Sequence, residues 1–359
     1  MNGSEKTCSP PAAAGEATPL VELRGLCRYF VQGGSFGGKR KLLRAVEDVS
    51  LYVLPGETLG IVGESGCGKS TLGRMTVGLL PPSAGEVFIK GLPLWDGSAH
   101  ADYRAFRQSL AGVVQMVFQD PYSSLNPRMR IGASIAEPLL CSCAWHAGQK
   151  KPGRAVIEDR VARLLRGVGL EPEAAGRYPH EFSGGQRQRI AIARVLATDP
   201  AFVVCDEPTS SLDASVQSQV LNLLRDMQDE LGLAYLFISH DLDVVRHMSD
   251  RAAVMYLGHV LESGNSDDIF SAPLHPYTRL LLEAGPEGAD SAPAYDNLDA
   301  LSSAALYDGP GCPFAPRCPE RMERCLKELP LLAAPQAAPD GPERPERPER
   351  LTRCFLFSG

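Results

Sequence analysis

The sequence predicts an α/β fold in which a buried sheet is flanked by helices, and three observations support this prediction. Short apolar runs at residues 57–62, 201–205 and 234–239 are typical of strands that are buried on both faces. A helical pattern at residues 214–231 separates the second run from the third. A glycine-rich loop follows the first run and leads directly into another helical pattern. Strands and helices that alternate in this way favour a sheet with parallel strands.

The glycine-rich loop has the spacing of a phosphate-binding loop. It reads Gly63-Glu64-Ser65-Gly66-Cys67-Gly68-Lys69-Ser70 and continues into Thr71. The run fits the template G-x-x-x-x-G-K-[ST] at every fixed position. Its glycines let successive backbone N–H groups point inward at the start of a helix, which makes an anion site. We expect the stretch to bind a nucleotide, with Lys69 on the β- and γ-phosphates and the Ser70 hydroxyl on Mg²⁺.

Composition and charge limit the classes of function. The chain has 359 residues, of which 44% are hydrophobic and 22% charged, values typical of a globular protein. The net charge of −7 argues against general nucleic-acid binding, so we expect no nucleic-acid partner. No apolar run approaches the roughly 20 residues that span a bilayer. Residues 1–19 lack a secretory pattern and, being rich in alanine and proline, are predicted to be a disordered tail.

A second candidate anion site precedes a helical pattern at residues 186–197. This signature run consists of Ser183, Gly184, Gly185 and Gln186, and Phe182 precedes it. Ser183 has the chemistry of a helix N-cap, and exposed glycines beside a helix N-terminus can bind an anion. Taken alone, the run could also be no more than a cap and a turn.

Ionisable side chains follow two of the predicted buried strands. Asp206 and Glu207 end the second apolar run, and His240 follows the third. Beside a phosphate loop, Asp206 would hold Mg²⁺ through water and Glu207 would polarise the attacking water. An isolated Asp-Glu pair is usually a solvated turn, but the neighbouring residues 210–213 favour a function here. At the carboxyl end of its strand, His240 would lie on the ligand side of the sheet, where it could touch a γ-phosphate.

An aromatic side chain ahead of the phosphate loop could stack on an adenine ring. Phe30 is the first candidate and Tyr29 the second, and both follow a strand pattern at residues 20–26. A place in the core or at the sheet edge is an equally good interpretation of either residue.

Six motifs in this order resemble the ATP-binding subunit of ABC transporters. They are the phosphate loop, Gln119, the run 182–186, Asp206-Glu207, the run 211–213 and the run 239–241. The resemblance covers roughly residues 20–270, and Phe182 stands where the family usually has leucine. It implies a mixed sheet with flanking helices, an antiparallel β subdomain and an inserted helical subdomain at about 121–181. The ligands that it implies are ATP and Mg²⁺.

The same resemblance implies roles for single residues. It implies a head-to-tail dimer in which the phosphate loop of one subunit faces the signature run of the other, with ATP between them. Gln119 would sense Mg²⁺ and the membrane subunits, Asp213 would bridge the dimer, and His240 would hold the γ-phosphate. The predicted catalytic residues are therefore Gln119, Asp206, Glu207 and His240, and the predicted Mg²⁺ ligands are Ser70, Gln119 and Asp206.

Three further runs resemble the oligopeptide and dipeptide importers within that family. They are residues 115–128, 213–217 and 273–278, and they are closest to the second of the two unlike ATPase subunits. The resemblance implies ATP hydrolysis for peptide uptake by a heterodimer with a sister ATPase. Two membrane permeases would hold the heterodimer at the cytoplasmic face of the membrane, and an extracytoplasmic peptide-binding protein would deliver the peptide. Nickel and glutathione importers share this layout and stay as alternatives.

Two other classes fit the sequence less well. Against an ABC exporter subunit stand the loop after Gln119 and the C-terminal extension. A soluble ABC protein that acts on ribosomes or DNA usually has two ATPase cassettes or a long coiled-coil insert. This chain has one phosphate loop and no heptad repeat.

Four cysteines stand in the C-terminal extension, which we place at residues 271–359. They are Cys312, Cys318, Cys325 and Cys354. Four thiolates suit Zn²⁺ or a [4Fe–4S] cluster, but the spacing matches no standard zinc finger and contains no C-x-x-C pair. Because the resemblance extends to importer ATPases that carry such a cluster, we expect [4Fe–4S] first and zinc second, with four free thiols as the remaining interpretation. The proline-spaced charged run at 342–350 is predicted to be an extended linker.

Overall fold

The computed structural model describes residues 18–32, 41–95, 110, 112–140, 153–283, 309–335 and 350–357. Most of the predicted tail, residues 1–17, and most of the predicted linker, residues 342–349, lie outside the described residues. Within the described ranges, no helix combines the length and the apolar composition needed to cross a bilayer.

The larger of two sheets in the described chain is mixed and has seven strands. They are β3 (Thr58–Val62), β6 (Val114–Val117), β7 (Phe202–Asp206), β8 (Ala234–Ile238), β9 (Arg251–Tyr256), β10 (His259–Asn265) and β11 (Leu351–Thr352), in the order β11-β10-β9-β3-β8-β7-β6. The pairs from β9 to β6 are parallel, whereas β10 is antiparallel to both of its neighbours. β3, β7 and β8 are buried along their whole length, which explains the continuous apolar runs in the sequence.

The smaller sheet is antiparallel and packs over the phosphate-loop helix. Its strands are β1 (Val21–Gln32), β2 (Lys41–Val53), β4 (Ala84–Ile89) and β5 (Leu92–Trp95), in the order β2-β1-β4-β5. Leu26 of this sheet, Ile61 of β3 and Leu72 of helix α1 (Lys69–Thr76) belong to one apolar cluster. The predicted mixed sheet and the predicted antiparallel β subdomain are confirmed.

Helices follow the strands of the larger sheet along the chain. After α1 they are α2 (Pro121–Ser124), α3 (Ile131–Leu140), α4 (Arg154–Gly167), α5 (Gly184–Leu196), α6 (Ala214–Leu231), α7 (Leu242–Met248), α8 (Ser266–Ser271), α9 (Pro276–Glu283) and α10 (Glu323–Lys327), with short 3₁₀ helices at Pro172–Gly176 and Pro179–Glu181. Ile135, Leu165 and Ile190 place α3, α4 and α5 in one apolar cluster. α3 and α4 lie within the helical subdomain predicted at about 121–181, whereas α5 begins after its predicted end.

A buried carboxylate attaches the C-terminal part of the chain to the sheet. Glu262 on β10 is fully buried, and its oxygens accept hydrogen bonds from the backbone N–H groups of Leu274 and His275, both at 3.0 Å. The Arg350 guanidinium donates to the same carboxylate at 2.7 Å, just before β11 pairs with β10. Because a buried carboxylate requires such partners, Glu262 holds both segments against one edge of the sheet.

Candidate active site

The phosphate loop joins β3 to α1 and is shaped by glycines with left-handed backbone angles. Gly63, Gly66 and Gly68 have φ angles of 155°, 80° and 108°. A side chain on Gly68 would overlap the backbone carbonyl of Ala45 on β2, so this position needs glycine for space as well as for conformation. A loop curled in this way before a helix N-terminus is suited to binding phosphate.

Lys69, the first residue of α1, is buried within the loop. Its exposed fraction is 4%, and its ammonium donates to the backbone carbonyls of Gly63 at 2.6 Å and Glu64 at 2.9 Å. These bonds fix the positive charge beside the N-terminus of α1, which also favours an anion. The binding of Lys69 to phosphate oxygens, the role that the sequence predicts, stays a prediction.

Ser70 and Asp206, two of the predicted Mg²⁺ ligands, are brought together from different elements. The Ser70 hydroxyl donates to the Asp206 carboxylate at 2.7 Å. Asp206 is 2% exposed at the end of β7, and this burial raises its pKa above the usual value. A hydroxyl and a carboxylate oxygen beside a phosphate loop form a donor set that fits Mg²⁺.

Glu207 is the centre of a polar cluster at the carboxyl ends of three parallel strands. Its Oε2 atom accepts a hydrogen bond from the Gln119 amide at 3.0 Å and lies 3.2 Å from Nδ1 of His240. Its φ angle is 47°, a left-handed conformation that is costly for glutamate, and its backbone N–H donates to the carbonyl of Ile238. Glu207, Gln119 and His240 line an open cleft of about 540 Å³ that Gly184 also borders. The structure therefore brings these three predicted residues together.

The signature run begins helix α5 earlier than the sequence predicts. The predicted helix covers residues 186–197, whereas α5 is Gly184–Leu196. Ser183 is the N-cap, since its hydroxyl accepts from the N–H of Gln186 at 3.3 Å and the Gln186 side chain accepts from the N–H of Ser183 at 3.1 Å. Both glycines consequently fall in the first turn of the helix, where backbone N–H groups have no helical partner.

Arg187 holds the loop that precedes the signature run. Its buried guanidinium donates to the backbone carbonyls of Pro179 at 2.8 Å and Phe182 at 2.6 Å. The Arg187 guanidinium also lies 3.9 Å from the centre of the Tyr122 ring. Tyr122 is three residues after Gln119 in the chain. Phe182, which precedes the signature run, is 4% exposed and belongs to the apolar core.

Gly185 and Val216 impose a packing constraint between α5 and α6 that can be tested. A Cβ atom on Gly185 would overlap the Val216 side chain. We expect Gly185→Ala to lower the free energy of unfolding by about 1–3 kcal/mol, the usual cost of overpacking, and Val216→Ala to relieve part of this in the double variant. Denaturant unfolding of the variants measures both effects. A Gly185→Ala protein as stable as its parent would contradict the close approach of the two helices.

Asp213 caps α6 and keeps its carboxylate exposed. The carboxylate accepts hydrogen bonds from the Val216 N–H at 2.9 Å and the Ser215 hydroxyl at 2.8 Å, and these bonds lower the pKa of Asp213. Because the side chain is exposed, the predicted bridge to a second subunit is sterically open, and it stays a prediction.

Phe30 and Tyr29 are both half-buried on β1 but differ in their contacts. The Tyr29 hydroxyl donates to the Glu47 carboxylate at 3.0 Å, whereas the Arg28 guanidinium lies 4.7 Å from the centre of the Phe30 ring. Phe30 pairs with Leu43 of β2, close to the point where that strand meets the phosphate loop. Stacking of Phe30 on adenine, with Tyr29 as second choice, stays a prediction.

The four C-terminal cysteines come together from separate segments, residues 309–335 and 350–357, which we call the cysteine module. Cys312, Cys318, Cys325 and Cys354 line a small cavity of about 10 Å³, roughly the space of one water molecule. Burial raises the pKa of Cys312 to about 11 and that of Cys354 to about 12. In the described part of the chain, however, no three histidine, cysteine, aspartate or glutamate side chains are arranged to hold a metal ion. The arrangement gathers the predicted sulfur donors but does not by itself support the predicted cluster or zinc ion.

The sequence did not predict two contacts that Glu64 of the phosphate loop makes with the C-terminal part of the chain. Glu64 pairs with Arg317 of the cysteine module at 2.9 Å, and its backbone N–H donates to the Tyr277 hydroxyl at 3.0 Å. Tyr277 lies in the run 273–278 that resembles peptide importers, and this run is the signal that could have identified it. Arg317 carries no comparable signal.

Two family models match the chain. The model described as ABC transporter matches residues 46–210, and the model described as oligopeptide/dipeptide transporter, C-terminal region, matches residues 261–325. The first match contains the phosphate loop, the signature run and Glu207. The second contains Tyr277, Arg317 and three of the four C-terminal cysteines.

Known proteins resemble the chain over most of its length. The oligopeptide transport ATP-binding protein OppF of Escherichia coli (strain K12) is 46% identical over 319 residues, which cover 87% of this chain and 92% of that protein. The dipeptide transport ATP-binding protein DppF of Haemophilus influenzae is 44% identical over 319 residues, which cover 88% of this chain and 94% of that protein. A solved dimeric ATP-binding cassette in a post-hydrolysis state with ADP and phosphate matches with a TM-score of 0.58 at 26% identity, covering 68% of this chain and 98% of that chain. The chain is therefore an ATP-hydrolysing transporter subunit, and it belongs to the oligopeptide/dipeptide family of ABC transporter ATP-binding proteins.

Proposed function

We propose that this chain is the second ATPase subunit of an importer that takes up di- or oligopeptides. It pairs with a sister ATPase on two permeases at the cytoplasmic face of the membrane, and an extracytoplasmic binding protein delivers the peptide. The observation that carries the proposal is the match of residues 261–325 to the C-terminal region of oligopeptide/dipeptide transporters. The catalytic core alone would not separate importers from other ABC proteins, because a phosphate loop and its carboxylates serve ATP chemistry in all of them.

The cleft around Glu207 supports a role in activating water. Its carboxylate would accept a proton from the water that attacks the γ-phosphorus, or orient that water. Gln119 and His240 contact the same carboxylate oxygen and would hold it in position. Lys69 and the loop N–H groups would stabilise the charge that develops on the phosphate oxygens.

The donors at Ser70 and Asp206 support a bound Mg²⁺. Ser70 would ligate the ion directly and Asp206 through water, and the ion would supply charge neutralisation on the β- and γ-phosphates. Gln119 is the predicted third ligand. Because its side-chain nitrogen donates to Glu207, its oxygen is the atom available for the ion.

Closure of the two ATPase subunits would link ATP to transport. The signature run of this chain would contact the ATP that the sister subunit holds, and Asp213 would cross the interface. Closure would move the permeases, and hydrolysis would let the subunits separate again.

Uptake by the reconstituted transporter tests the proposed function. The chain is assembled with its sister ATPase and permeases in lipid vesicles, and the binding protein is added with labelled peptide, nickel or glutathione. ATP-dependent peptide accumulation that Glu207→Gln abolishes is the expected result. Uptake of nickel or glutathione without peptide would assign the chain to the alternative importers, and ATP-driven export would contradict the proposal.

We also propose that the four cysteines hold a metal centre, with [4Fe–4S] first and zinc second. The four sulfur donors around one cavity support this only together with the resemblance to importer ATPases that carry such a cluster. The cavity that these cysteines line has a volume of about 10 Å³.

Metal analysis after anaerobic purification checks this second proposal. We expect iron and sulfide at about four per chain, as a [4Fe–4S] cluster contains, and a corresponding absorbance spectrum. Cys318→Ser should lose the metal, whereas Cys27→Ser, a change in a buried cysteine of β1, should keep it. About one zinc per chain would select the second choice. A protein without metal under these conditions would contradict the proposal. The remaining interpretation, four free thiols, would then hold.

A further inference from the structure

Three groups of Glu64 make hydrogen bonds, and two of them connect the phosphate loop to other parts of the chain, the cysteine module and helix α9. Its carboxylate oxygens accept from one guanidinium nitrogen of Arg317 at 2.9 and 3.0 Å. Its backbone N–H donates to the Tyr277 hydroxyl at 3.0 Å, and its backbone carbonyl accepts from the Lys69 ammonium at 2.9 Å. Glu64 therefore holds Lys69 inside the loop and is itself held by Arg317 and Tyr277, which lie outside the loop.

The two outer partners of Glu64 are fixed by a buried aromatic cluster. Tyr277 is fully buried, and its ring centre lies 4.6 Å from that of Tyr256 and 5.3 Å from that of Phe314. Phe314 is also fully buried and belongs to the same loop of the cysteine module as Arg317. Because side chains packed this closely have little freedom, a shift of that loop would move Arg317 relative to Glu64.

Pairing with Arg317 also removes an electrostatic obstacle to ATP. Glu64 places a negative charge in a loop that binds phosphates, and an uncompensated carboxylate there would repel them. The Arg317 and Glu64 side chains are 29% and 24% exposed, so solvent screens this charge only in part. Arg317 is directed toward Glu64 by a further contact, since its guanidinium lies 3.5 Å from the Tyr256 hydroxyl.

We propose that the cysteine module and helix α9 together position the phosphate loop for ATP, and that Arg317 of the module and Tyr277 of α9 are positioning residues that act through Glu64. Neither residue touches the nucleotide in this mechanism. Their loss should therefore change the affinity for ATP more than the rate of bond cleavage. The proposal requires ATP binding at the loop, but it depends neither on peptide as the cargo nor on metal at the cysteines.

Arg317→Gln, measured in the full-length chain, is the first test. We expect the Kd for Mg-ATP, from fluorescence titration, to rise about tenfold, the change expected for loss of one charge-assisted hydrogen-bonded pair. In the assembled transporter, KM for ATP should rise in parallel while kcat stays within about twofold. Arg317→Lys, which keeps the positive charge, should bind ATP more tightly than Arg317→Gln does. The matched control is Lys327→Gln, which removes a charge from an exposed pair with Glu323 in the same module and should keep the parent affinity.

A second change separates positioning from a general loss of structure. Adding Glu64→Gln to Arg317→Gln should improve ATP binding over Arg317→Gln alone, because it removes the uncompensated charge. Parent affinity in Arg317→Gln, an equal loss in Lys327→Gln, or a further loss in the double variant would overturn the proposal. If Arg317→Gln does not fold, Tyr277→Phe is the variant that tests the proposal. It keeps the ring but removes the hydroxyl that accepts a hydrogen bond from the Glu64 N–H. Weaker ATP binding by Tyr277→Phe supports the proposal, and parent affinity overturns it.

Discussion

Glu207→Gln is expected to abolish ATP turnover at its own site while leaving ATP binding nearly unchanged. Glutamine has almost the same shape as glutamate and can keep its contacts with Gln119 and His240, but it cannot accept a proton from the attacking water. General-base catalysis contributes about 10²–10⁴-fold in rate, so the loss in kcat should fall in that range. Phosphate release at saturating Mg-ATP, measured with the sister phosphate loop inactivated, gives the rate, and a fluorescence titration of the same preparation gives the affinity.

The control for this variant is Glu230→Gln, because Glu230 is exposed near the C-terminal end of α6 and belongs to none of the active-site motifs. It should keep both the parent rate and the parent affinity. Turnover at the parent rate in Glu207→Gln would remove Glu207 from its proposed role. Loss of ATP binding in Glu207→Gln would instead assign it to the binding step.

Lys69→Ala is expected to cause the largest loss of ATP affinity. The ammonium is buried and fixed by the carbonyls of Gly63 and Glu64, so it is already placed for the phosphates before ATP arrives. A hydrogen bond to a charged group contributes about 1.5–3 kcal/mol, which corresponds to a rise of about 10- to 100-fold in Kd. Titration of the full-length chain with Mg-ATP measures this directly.

Lys327→Ala is the matched control for the lysine change, since that side chain is exposed and pairs only with Glu323 among the described contacts. It should bind ATP as the parent does. An unaltered affinity in Lys69→Ala would count against the assignment of the phosphate loop.

The phosphate loop and its Mg²⁺ donors could be predicted because residues close together in the sequence identify them. Each fixed position of the loop template has its own task, and Asp206 follows directly on a buried apolar run. The sheet then accounts for their meeting. β3 and β7 both pair in parallel with β8, so their carboxyl ends lie at the same edge, and the Ser70 hydroxyl reaches Asp206 at 2.7 Å.

The contacts of Glu64 could not be predicted because they join distant parts of the chain. Glu64 and Arg317 are 253 positions apart, and no periodic pattern reports which surface of the C-terminal extension meets the phosphate loop. The spacing of the cysteines likewise did not show that they would share a cavity. The start of α5 has a local cause: an N-cap directly precedes the first helical residue, so the cap at Ser183 begins the helix at Gly184.

A structure of the assembled transporter that carries Glu207→Gln, with Mg-ATP bound, is the most direct test of the proposed active site. We predict that Lys69 and Ser70 contact the phosphates and Mg²⁺ of one ATP. We predict that the Ser183 run of this chain faces the second ATP, held by the sister subunit, and that Arg317 stays paired with Glu64. ATP phosphates bound away from Lys69, or a signature run that faces no nucleotide, would contradict the mechanism.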